Sequence, residues 1–199
     1  MLQVKALVFD YFDQPLLKGI DFSVYPGNLL CLQGKNGSGK TTLLKLMAGL
    51  YSPLSGSIEW NQQQIHTDLA AYQRQICYLG HKLGISLQLS ARENYFYDLQ
   101  WQKDESLFFD TVKRLSMVDW LDKPCHQLSQ GQRRRVSLLR LWLSKAPIWL
   151  LDEPLAALDA ATIDALLNCF SAHLNRGGLI VMSSHQSFSP EFEYSRYLL

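Results

Sequence analysis

The eight residues from Gly34 to Thr41, GKNGSGKT, constrain this chain more than any other segment. They fit the pattern G-x-x-x-x-G-K-S/T, they follow the apolar run Leu29–Gln33, and they precede helical apolar spacing from Lys40 to Leu50. Glycines at these positions let the backbone curl so that several N–H groups point into one concavity, where phosphate oxygens bind beside a helix N-terminus. The segment therefore predicts a strand, a phosphate-binding loop and a helix in direct succession.

Each residue of this loop has an expected role at a nucleoside triphosphate. We expect the Lys40 ammonium to reach the β- and γ-phosphates, the Thr41 hydroxyl to bind Mg²⁺, and Thr42 to open the helix beside it. The pattern is shared by P-loop NTPases in general, and the chain lacks the Asn-Lys-x-Asp segment with which GTPases read guanine. The predicted nucleotide contacts are Gly34, Lys35, Asn36, Gly37, Ser38, Gly39, Lys40, Thr41 and Thr42.

Two carboxylates follow the apolar run Ile148–Leu151. A buried parallel strand delivers the residues after it to the carboxyl edge of its sheet, where ligands bind in such folds. We expect Thr41 and Asp152 to form the metal site, with Asp152 contacting the water ligands of Mg²⁺. Glu153 is expected to be catalytic, because a carboxylate there can polarise the water that attacks the γ-phosphate. This interpretation depends on Lys40, which lies 112 residues before Asp152.

Composition argues against disordered, nucleic-acid-binding, membrane-spanning and zinc-binding proteins. Hydrophobic residues make up 47% of the 199 residues and charged residues 19%, which supports a sizeable core and argues against disorder. Nineteen Lys and Arg balance 18 Asp and Glu to a net charge of +1, so we predict no nucleic-acid partner. No apolar run approaches the roughly 20 residues of a membrane span, and no signal peptide is expected. The four cysteines lie 44 to 48 residues apart, which favours reduced thiols in a cytoplasmic protein over a zinc site.

Strand-like and helix-like segments alternate at both ends of the chain, and a helical block separates them. Helices are predicted after the capping box at 90–93, at Glu105–Leu115 and at Gly131–Leu143. We predict an α/β fold in one domain over residues 1–199, with a parallel-sheet core at 1–84 and 146–199 and a helical subdomain at about 85–145. The predicted strands are Leu2–Phe9, Ile20–Val24, Leu29–Gln33, Ser57–Trp60, Ile76–Leu79, Ile148–Leu151 and Leu179–Met182.

A second motif, LSQGQ at 128–132, precedes three arginines and a leucine-rich helix. Ser129 is a good helix N-cap, and it lies 23 residues before Asp152. In this position the segment resembles the signature of the ATP-binding-cassette (ABC) family, which usually reads LSGGQ. Gln130 replaces the first glycine of that motif, whereas Ser129 and Gly131 are kept. The resemblance covers nearly the whole chain.

The resemblance implies a specific fold and site. The ABC type of P-loop NTPase has a mostly parallel core sheet, an N-terminal antiparallel β part and an inserted helical subdomain. It places an aromatic side chain against the adenine, here Tyr11 with Phe12 as the alternative. His81 occupies the place of the family's usual glutamine, and its shorter, stiffer side chain puts direct Mg²⁺ contact in doubt. The remaining implied residues are His185 as the switch histidine, catalytic together with His81 and Glu153, and Ser129, Gly131, Gln132 and Asp159 as nucleotide contacts.

A narrower resemblance comes from the run LGHKLGI at 79–85, from Glu93-Asn94 and from Arg140–Leu143. These segments are similar to the ATPase subunits of haem-exporter complexes in c-type cytochrome maturation. That resemblance implies ATP and Mg²⁺ as cofactors, and a second copy of the chain in an ATP-sandwich dimer. It also implies integral membrane subunits of the CcmB type as partners, with the ATPase peripheral on the cytoplasmic face of the bacterial inner membrane.

Other functions fit the sequence less well. The first alternative is the ATPase subunit of another small ABC exporter, for lipoproteins, drugs or antibiotics. A DNA-maintenance ATPase of the SMC type is disfavoured, because only 88 residues separate Lys40 from Leu128 and no sustained heptads occur between them. A regulatory module without turnover is disfavoured by the presence of Lys40, Glu153 and His185.

Apolar residues after His81 suggest a docking surface. About half of the apolar side chains in this stretch are expected to pack in the core, and the rest could form an exposed groove. In the ABC family such a groove receives a short cytoplasmic helix of the membrane subunit. We therefore expect solvent exposure for some members of the set Leu83, Ile85, Tyr95 and Tyr97.

Overall fold

The computed structural model describes residues 1–11, 14–97, 104–184 and 193–199. The predicted residues Phe12 and His185 lie outside these ranges. Fifteen α-helices and β-strands occur in the described residues, together with two 3-10 helices, Val118–Trp120 and Cys125–Gln127. In chain order they are β1 (Leu2–Tyr11), β2 (Gln14–Val24), β3 (Leu29–Gln33), α1 (Lys40–Met47), β4 (Ser55–Trp60), β5 (Gln63–Gln64), α2 (Leu69–Gln73), β6 (Ile76–Leu79), α3 (Ala91–Tyr97), α4 (Glu105–Arg114), α5 (Gln130–Leu143), β7 (Ile148–Asp152), α6 (Ala160–Asn175), β8 (Leu179–Ser183) and β9 (Ser195–Leu198).

The strands form two sheets. Strands β2, β1, β4 and β5 make an antiparallel sheet in that order. Strands β6, β7, β8, β3 and β9 make a sheet in which every neighbouring pair is parallel. Every residue of β7 and β8 is buried, as expected for inner strands of a parallel sheet. The predicted fold class, a parallel core sheet with an N-terminal antiparallel part, is confirmed.

Several boundaries differ from the predicted ones. Strand β2 begins at Gln14, six residues before the predicted start at Ile20, and it contains Pro15. A proline fits there because β2 is the edge strand of its sheet. Helix α1 ends at Met47 rather than Leu50, since Gly49 adopts a left-handed φ of 66° and closes the helix. Helices α2 and α6 and strands β5 and β9 were not predicted.

The described residues divide into two compact units. The first contains residues 1–81, 146–154 and 173–199, and the second contains 82–145 and 155–172. The first boundary lies three residues before the predicted one. Residues 155–172, which the sequence division placed in the core, group with the helices instead. Within the second unit Asp159 pairs with Arg135, and Ala165 packs against the apolar cluster of the helices, which accounts for this grouping.

The predicted docking residues differ in exposure. The Tyr97 side chain is 69% exposed, and Leu83 and Ile85 are half-buried. Tyr95 is buried, because its ring stacks on Phe108 with centroids 4.5 Å apart and planes 8° apart. The expectation that some of the four residues are exposed is therefore met by Tyr97, whereas Tyr95 belongs to the core.

A buried histidine supports the parallel sheet. The His173 ring stacks on Trp149 of β7, with centroids 3.8 Å apart and planes 12° apart. Its Nε2 lies 3.3 Å from the carbonyl oxygen of Leu179. A side chain on Gly178 would collide with this ring, so the position needs glycine. Burial lowers the pKa of His173 from 6.5 to about 4.

We predict that His173 makes the stability of the fold depend on acidity. Because its pKa is lower in the folded than in the unfolded chain, its neutral form stabilises the protein fully above pH 6.5, and this contribution is lost as the pH falls towards 4. The loss between pH 7.5 and pH 5.0 should be about 2 kcal/mol of unfolding free energy. Urea unfolding of the parental chain and of His173→Gln at pH 7.5 and 5.0 measures it. The variant should lose less stability on acidification than the parent, and the exposed control His66→Gln should behave like the parent.

Candidate functional site

The loop between β3 and α1 is shaped by glycine. Gly34 has a φ of 153°, and a Cβ on it would lie 2.7 Å from the Leu199 carbonyl oxygen. Gly39 has a φ of 102°, and a Cβ there would lie 2.8 Å from a methyl carbon of Leu17. Both positions combine left-handed backbone with close neighbours, so L-residues with side chains do not fit. The predicted loop and its helix are thus present, with α1 beginning at Lys40.

The Lys40 side chain curls back over this loop. Its ammonium donates hydrogen bonds to the carbonyl oxygens of Gly34 at 2.8 Å and Lys35 at 3.0 Å. Lys40 is buried, with 8% of its surface exposed to solvent. Among the described residues the Ser38 hydroxyl is buried without a hydrogen-bond partner. A bound phosphate would supply an acceptor for both groups, so the loop fits a nucleotide.

Two strand ends and the start of α1 meet in one hydrogen-bond network. The Thr41 hydroxyl, just after the β3 loop, donates to Asp152 Oδ2 at 2.8 Å. The Ser183 hydroxyl at the end of β8 donates to Asp152 Oδ1 at 2.6 Å and accepts from the Glu153 N–H at 2.9 Å. Parallel strands bring their carboxyl ends to one edge, and this edge carries the predicted metal pair Thr41 and Asp152.

Glu153 has an unusual backbone. Its φ is 48°, in the left-handed region that non-glycine residues seldom occupy. Such conformations cost of order 1–3 kcal/mol and persist where the surroundings hold them. The hydrogen bond from the Glu153 N–H to Ser183 is one such restraint. The predicted catalytic carboxylate therefore lies on a strained turn directly after the buried strand.

The charges of the two acids reach nearby ionisable groups. Burial raises the pKa of Tyr78 to about 12, and the Asp152 carboxylate adds to the shift. Burial likewise raises the pKa of the Cys31 thiol to about 11, with a contribution from Glu153. The two carboxylates at this strand edge suit a divalent cation. Hydroxyl and carboxylate oxygens are the ligands that Mg²⁺ prefers.

A cleft of about 540 Å³ opens over this edge. Among the described residues no three His, Cys, Asp or Glu side chains form a metal-binding group, and Mg²⁺ sites that share phosphate ligands need only one or two carboxylates. Gly34, Lys35 and Ser38 lie in the loop beside the cleft. The cleft lining brings together most of the predicted residues of the first unit: Tyr11, Asn36, Gly37, Gly39, Lys40, Thr41, Thr42, His81, Asp152 and Glu153, with Leu16 added by the structure.

The signature residues lie in the second unit. Ser129 caps α5 through a capping box, in which its hydroxyl accepts from the Gln132 N–H at 3.2 Å and Gln132 Oε1 accepts from the Ser129 N–H at 2.8 Å. Asp159 accepts from the Thr162 N–H and pairs with Arg135. The Thr162 side chain first, then its N–H and Arg135, lower the pKa of Asp159. Ser129, Gly131, Gln132 and Asp159 are thus not lining residues of the cleft in the first unit.

Sequence reasoning missed Ser183 and Leu16. A serine at the end of an apolar run is too common to mark a site, and only the pairing of β8 with β7 places Ser183 beside Asp152.

None of the described helices is long and apolar enough to cross a membrane.

Comparison with known proteins gives consistent similarities. The family described as "ABC transporter" matches residues 17–156. "Cytochrome c biogenesis ATP-binding export protein CcmA" of Legionella pneumophila strain Lens is 45% identical over 200 residues, covering all of both chains. The protein of the same name from Vibrio cholerae is 39% identical over 94% of this chain and 91% of its own. A solved "Putative ABC transporter (ATP-binding protein)" from Pyrococcus furiosus superposes with a TM-score of 0.83 at 27% identity, over all of this chain and 96% of its own.

We predict that Ser183→Ala destabilises the strand edge. The change removes the hydrogen bond from Ser183 to Asp152 and the one from the Glu153 N–H to Ser183, which should cost about 1–3 kcal/mol of unfolding free energy. Urea unfolding measures the loss. The exposed control Ser23→Ala should lose less than about 0.5 kcal/mol. Equal stability of Ser183→Ala and the parent would contradict the role given to this network.

Proposed function

Because this chain belongs to the ABC transporter family, we propose that it is the ATP-hydrolysing subunit of an ABC complex that serves c-type cytochrome biogenesis. The observation that carries the enzymatic part is the hydrogen bond between Thr41 and Asp152, which unites the phosphate loop with the acidic strand end. The cytochrome part is supported by relatives of that name at 45% and 39% identity over nearly full length. These favour it over a lipoprotein, drug or antibiotic exporter. We further propose one ABC ATPase domain over residues 1–199.

In the proposed site the loop residues and Lys40 hold the phosphates of ATP, and Tyr11 lies against its adenine. Mg²⁺, when bound, would neutralise charge on the β- and γ-phosphates, and Thr41 with Asp152 would hold it. Glu153 would accept a proton from the attacking water, which its carboxylate also orients. His81 faces the same cleft and would contact the water or the γ-phosphate through an imidazole nitrogen. His185 is proposed as the second histidine of the site.

The second set of residues is proposed to serve another copy of the chain. Ser129, Gly131 and Gln132 lie at the N-terminus of α5, where the positive end of the helix dipole favours an anion. We propose that they contact the γ-phosphate held by Lys40 of a second copy, with Asp159 at the same interface. The nucleotide would then be sandwiched between two chains.

The chain is proposed to act at a membrane without entering it. A membrane subunit of the CcmB type would dock on the helical unit, and the ATPase would be peripheral on the cytoplasmic face of the inner membrane. The exposed Tyr97 and the half-buried Leu83 and Ile85 supply an apolar surface for such a partner.

We predict that one cleft variant loses ATP turnover and another loses ATP affinity. Glu153→Gln keeps the shape of the side chain and removes the base, so ATP affinity should stay while turnover falls by at least about 100-fold. Lys40→Ala removes a charge partner of the phosphates, so ATP affinity should fall by about tenfold or more. Equilibrium ATP binding and steady-state phosphate release measure the two quantities. Parental turnover in Glu153→Gln would refute the role proposed for Glu153.

The two-chain arrangement predicts rescue on mixing. Ser129→Asp keeps an N-cap but places a negative charge near the phosphate, so it should abolish hydrolysis without unfolding α5. Mixed with Lys40→Ala, it can form a heterodimer in which one of the two sites is intact. Random pairing should restore about a quarter of the parental ATPase activity. Continued inactivity of the mixture, with dimers detected by light scattering, would argue against shared sites.

Charge on the docking surface should release the membrane partner. Tyr97→Glu puts a carboxylate where an apolar contact is proposed, so recovery of the membrane subunit in co-purification should fall by about tenfold or more. ATP binding should be unchanged. Val118→Glu is the matched control, because Val118 is 58% exposed in the same unit. Equal recovery with both variants would count against this surface.

A further inference from the structure

Three aromatic side chains form a cluster next to the cleft: Phe9, Tyr11 and Tyr51. Phe9 and Tyr11 are two residues apart on β1, and Tyr51 follows α1. The Phe9 and Tyr51 rings are parallel, with centroids 5.8 Å apart and planes 3° apart. The Tyr11 ring is perpendicular to both, at 5.0 Å and 87° from Phe9 and at 6.3 Å and 90° from Tyr51. These separations suit edge-to-face contact, so two neighbours set the plane of Tyr11.

Tyr51 is itself held by the helix that starts in the phosphate loop. The Lys45 ammonium on α1 donates a hydrogen bond to the Tyr51 hydroxyl at 3.4 Å and lies 5.2 Å from the ring centroid. The Tyr11 hydroxyl first, and Lys45 second, lower the pKa of Tyr51. Polar and aromatic contacts thus connect α1, through Tyr51, to the Tyr11 ring.

Tyr11 and Tyr51 differ in their relation to the cleft. Tyr11 lines it and is 40% exposed, so part of its ring surface is open to a ligand. Tyr51 is not among the described residues that line the cleft. Any effect of Tyr51 on a bound nucleotide would therefore pass through Tyr11. A ring that is already fixed loses less conformational entropy when a base stacks on it.

We propose that Tyr51, anchored by Lys45, is a positioning residue that sets the plane of the Tyr11 ring for stacking on the base of ATP. The inference rests on the proposed function, in which Tyr11 contacts the adenine. Stacking of a base on an aromatic side chain contributes enough binding free energy that a misplaced Tyr11 ring should measurably weaken ATP binding.

The test compares binding of ATP with binding of inorganic tripolyphosphate, which engages the phosphate loop but has no base. Tyr51→Leu should weaken ATP binding by about tenfold and leave tripolyphosphate binding within about twofold of the parental value. Tyr51→Phe keeps the ring packing and loses the hydroxyl, so its effect on ATP should be smaller. Tyr25→Leu, which removes an exposed tyrosine elsewhere in the first unit, is the matched control and should bind both ligands as the parent does.

A double variant separates positioning from direct contact. If Tyr51 acts through Tyr11, then Tyr11→Leu with Tyr51→Leu should bind ATP no more weakly than Tyr11→Leu alone. Additive losses, equal losses for ATP and tripolyphosphate, or parental ATP affinity in Tyr51→Leu would each overturn the inference while the parent still binds ATP. Failure of the parental chain to bind ATP would instead overturn the proposed function. Tripolyphosphate binding also reports that each variant is folded.

Discussion

The hydrogen bond from the Thr41 hydroxyl to the Asp152 carboxylate joins residues 111 positions apart, and the cleft is organised around it. Thr41 is the second residue of α1, which follows the loop after β3, and Asp152 ends β7. Strand β8 lies between β3 and β7 and contributes Ser183, which binds the other carboxylate oxygen. Two parallel strands and the helix after the β3 loop thus bring three side chains to one edge. An antiparallel β7 or β8 would have sent its last side chain to the opposite edge, so the site depends on the direction of both strands.

Short apolar runs of the parallel sheet could be predicted from the sequence most accurately. Both ends of β3 and β6 were predicted to the residue, since an apolar run of strand length ends sharply at glycine or polar residues. Strand β9 gives no such signal, because three of its four residues are exposed. Helix α6 was missed as well. Edge position and burial are properties of the assembled sheet, and no window of the chain contains them.

The residues of the candidate site also fall into two groups, those that a local motif predicts and those that only the assembled fold reveals. The phosphate loop is local, because spacing alone places its glycines, Lys40 and Thr41 around one concavity, and the structure has the loop as predicted. The contribution of Ser183 depends on the pairing of Asp152 with Ser183 across two strands. The contribution of Tyr51 depends on packing between the end of α1 and β1. Residues that hold or orient others are the ones that sequence patterns reveal least.

The departure of the signature from the usual motif has a local physical explanation. Gln130 is the first helical residue of α5, so the backbone there has ordinary helical angles and does not need glycine. Gly131 is also helical, and a Cβ on it would make an ordinary contact of 3.6 Å with the Ala157 carbonyl oxygen. The isolated chain would therefore accept a side chain at either position. In the proposed dimer the two positions differ, because a phosphate that approaches the N–H groups of α5 needs space beside the backbone. A requirement for glycine at Gly131 would thus come from the second copy and its nucleotide, and not from the fold of this chain.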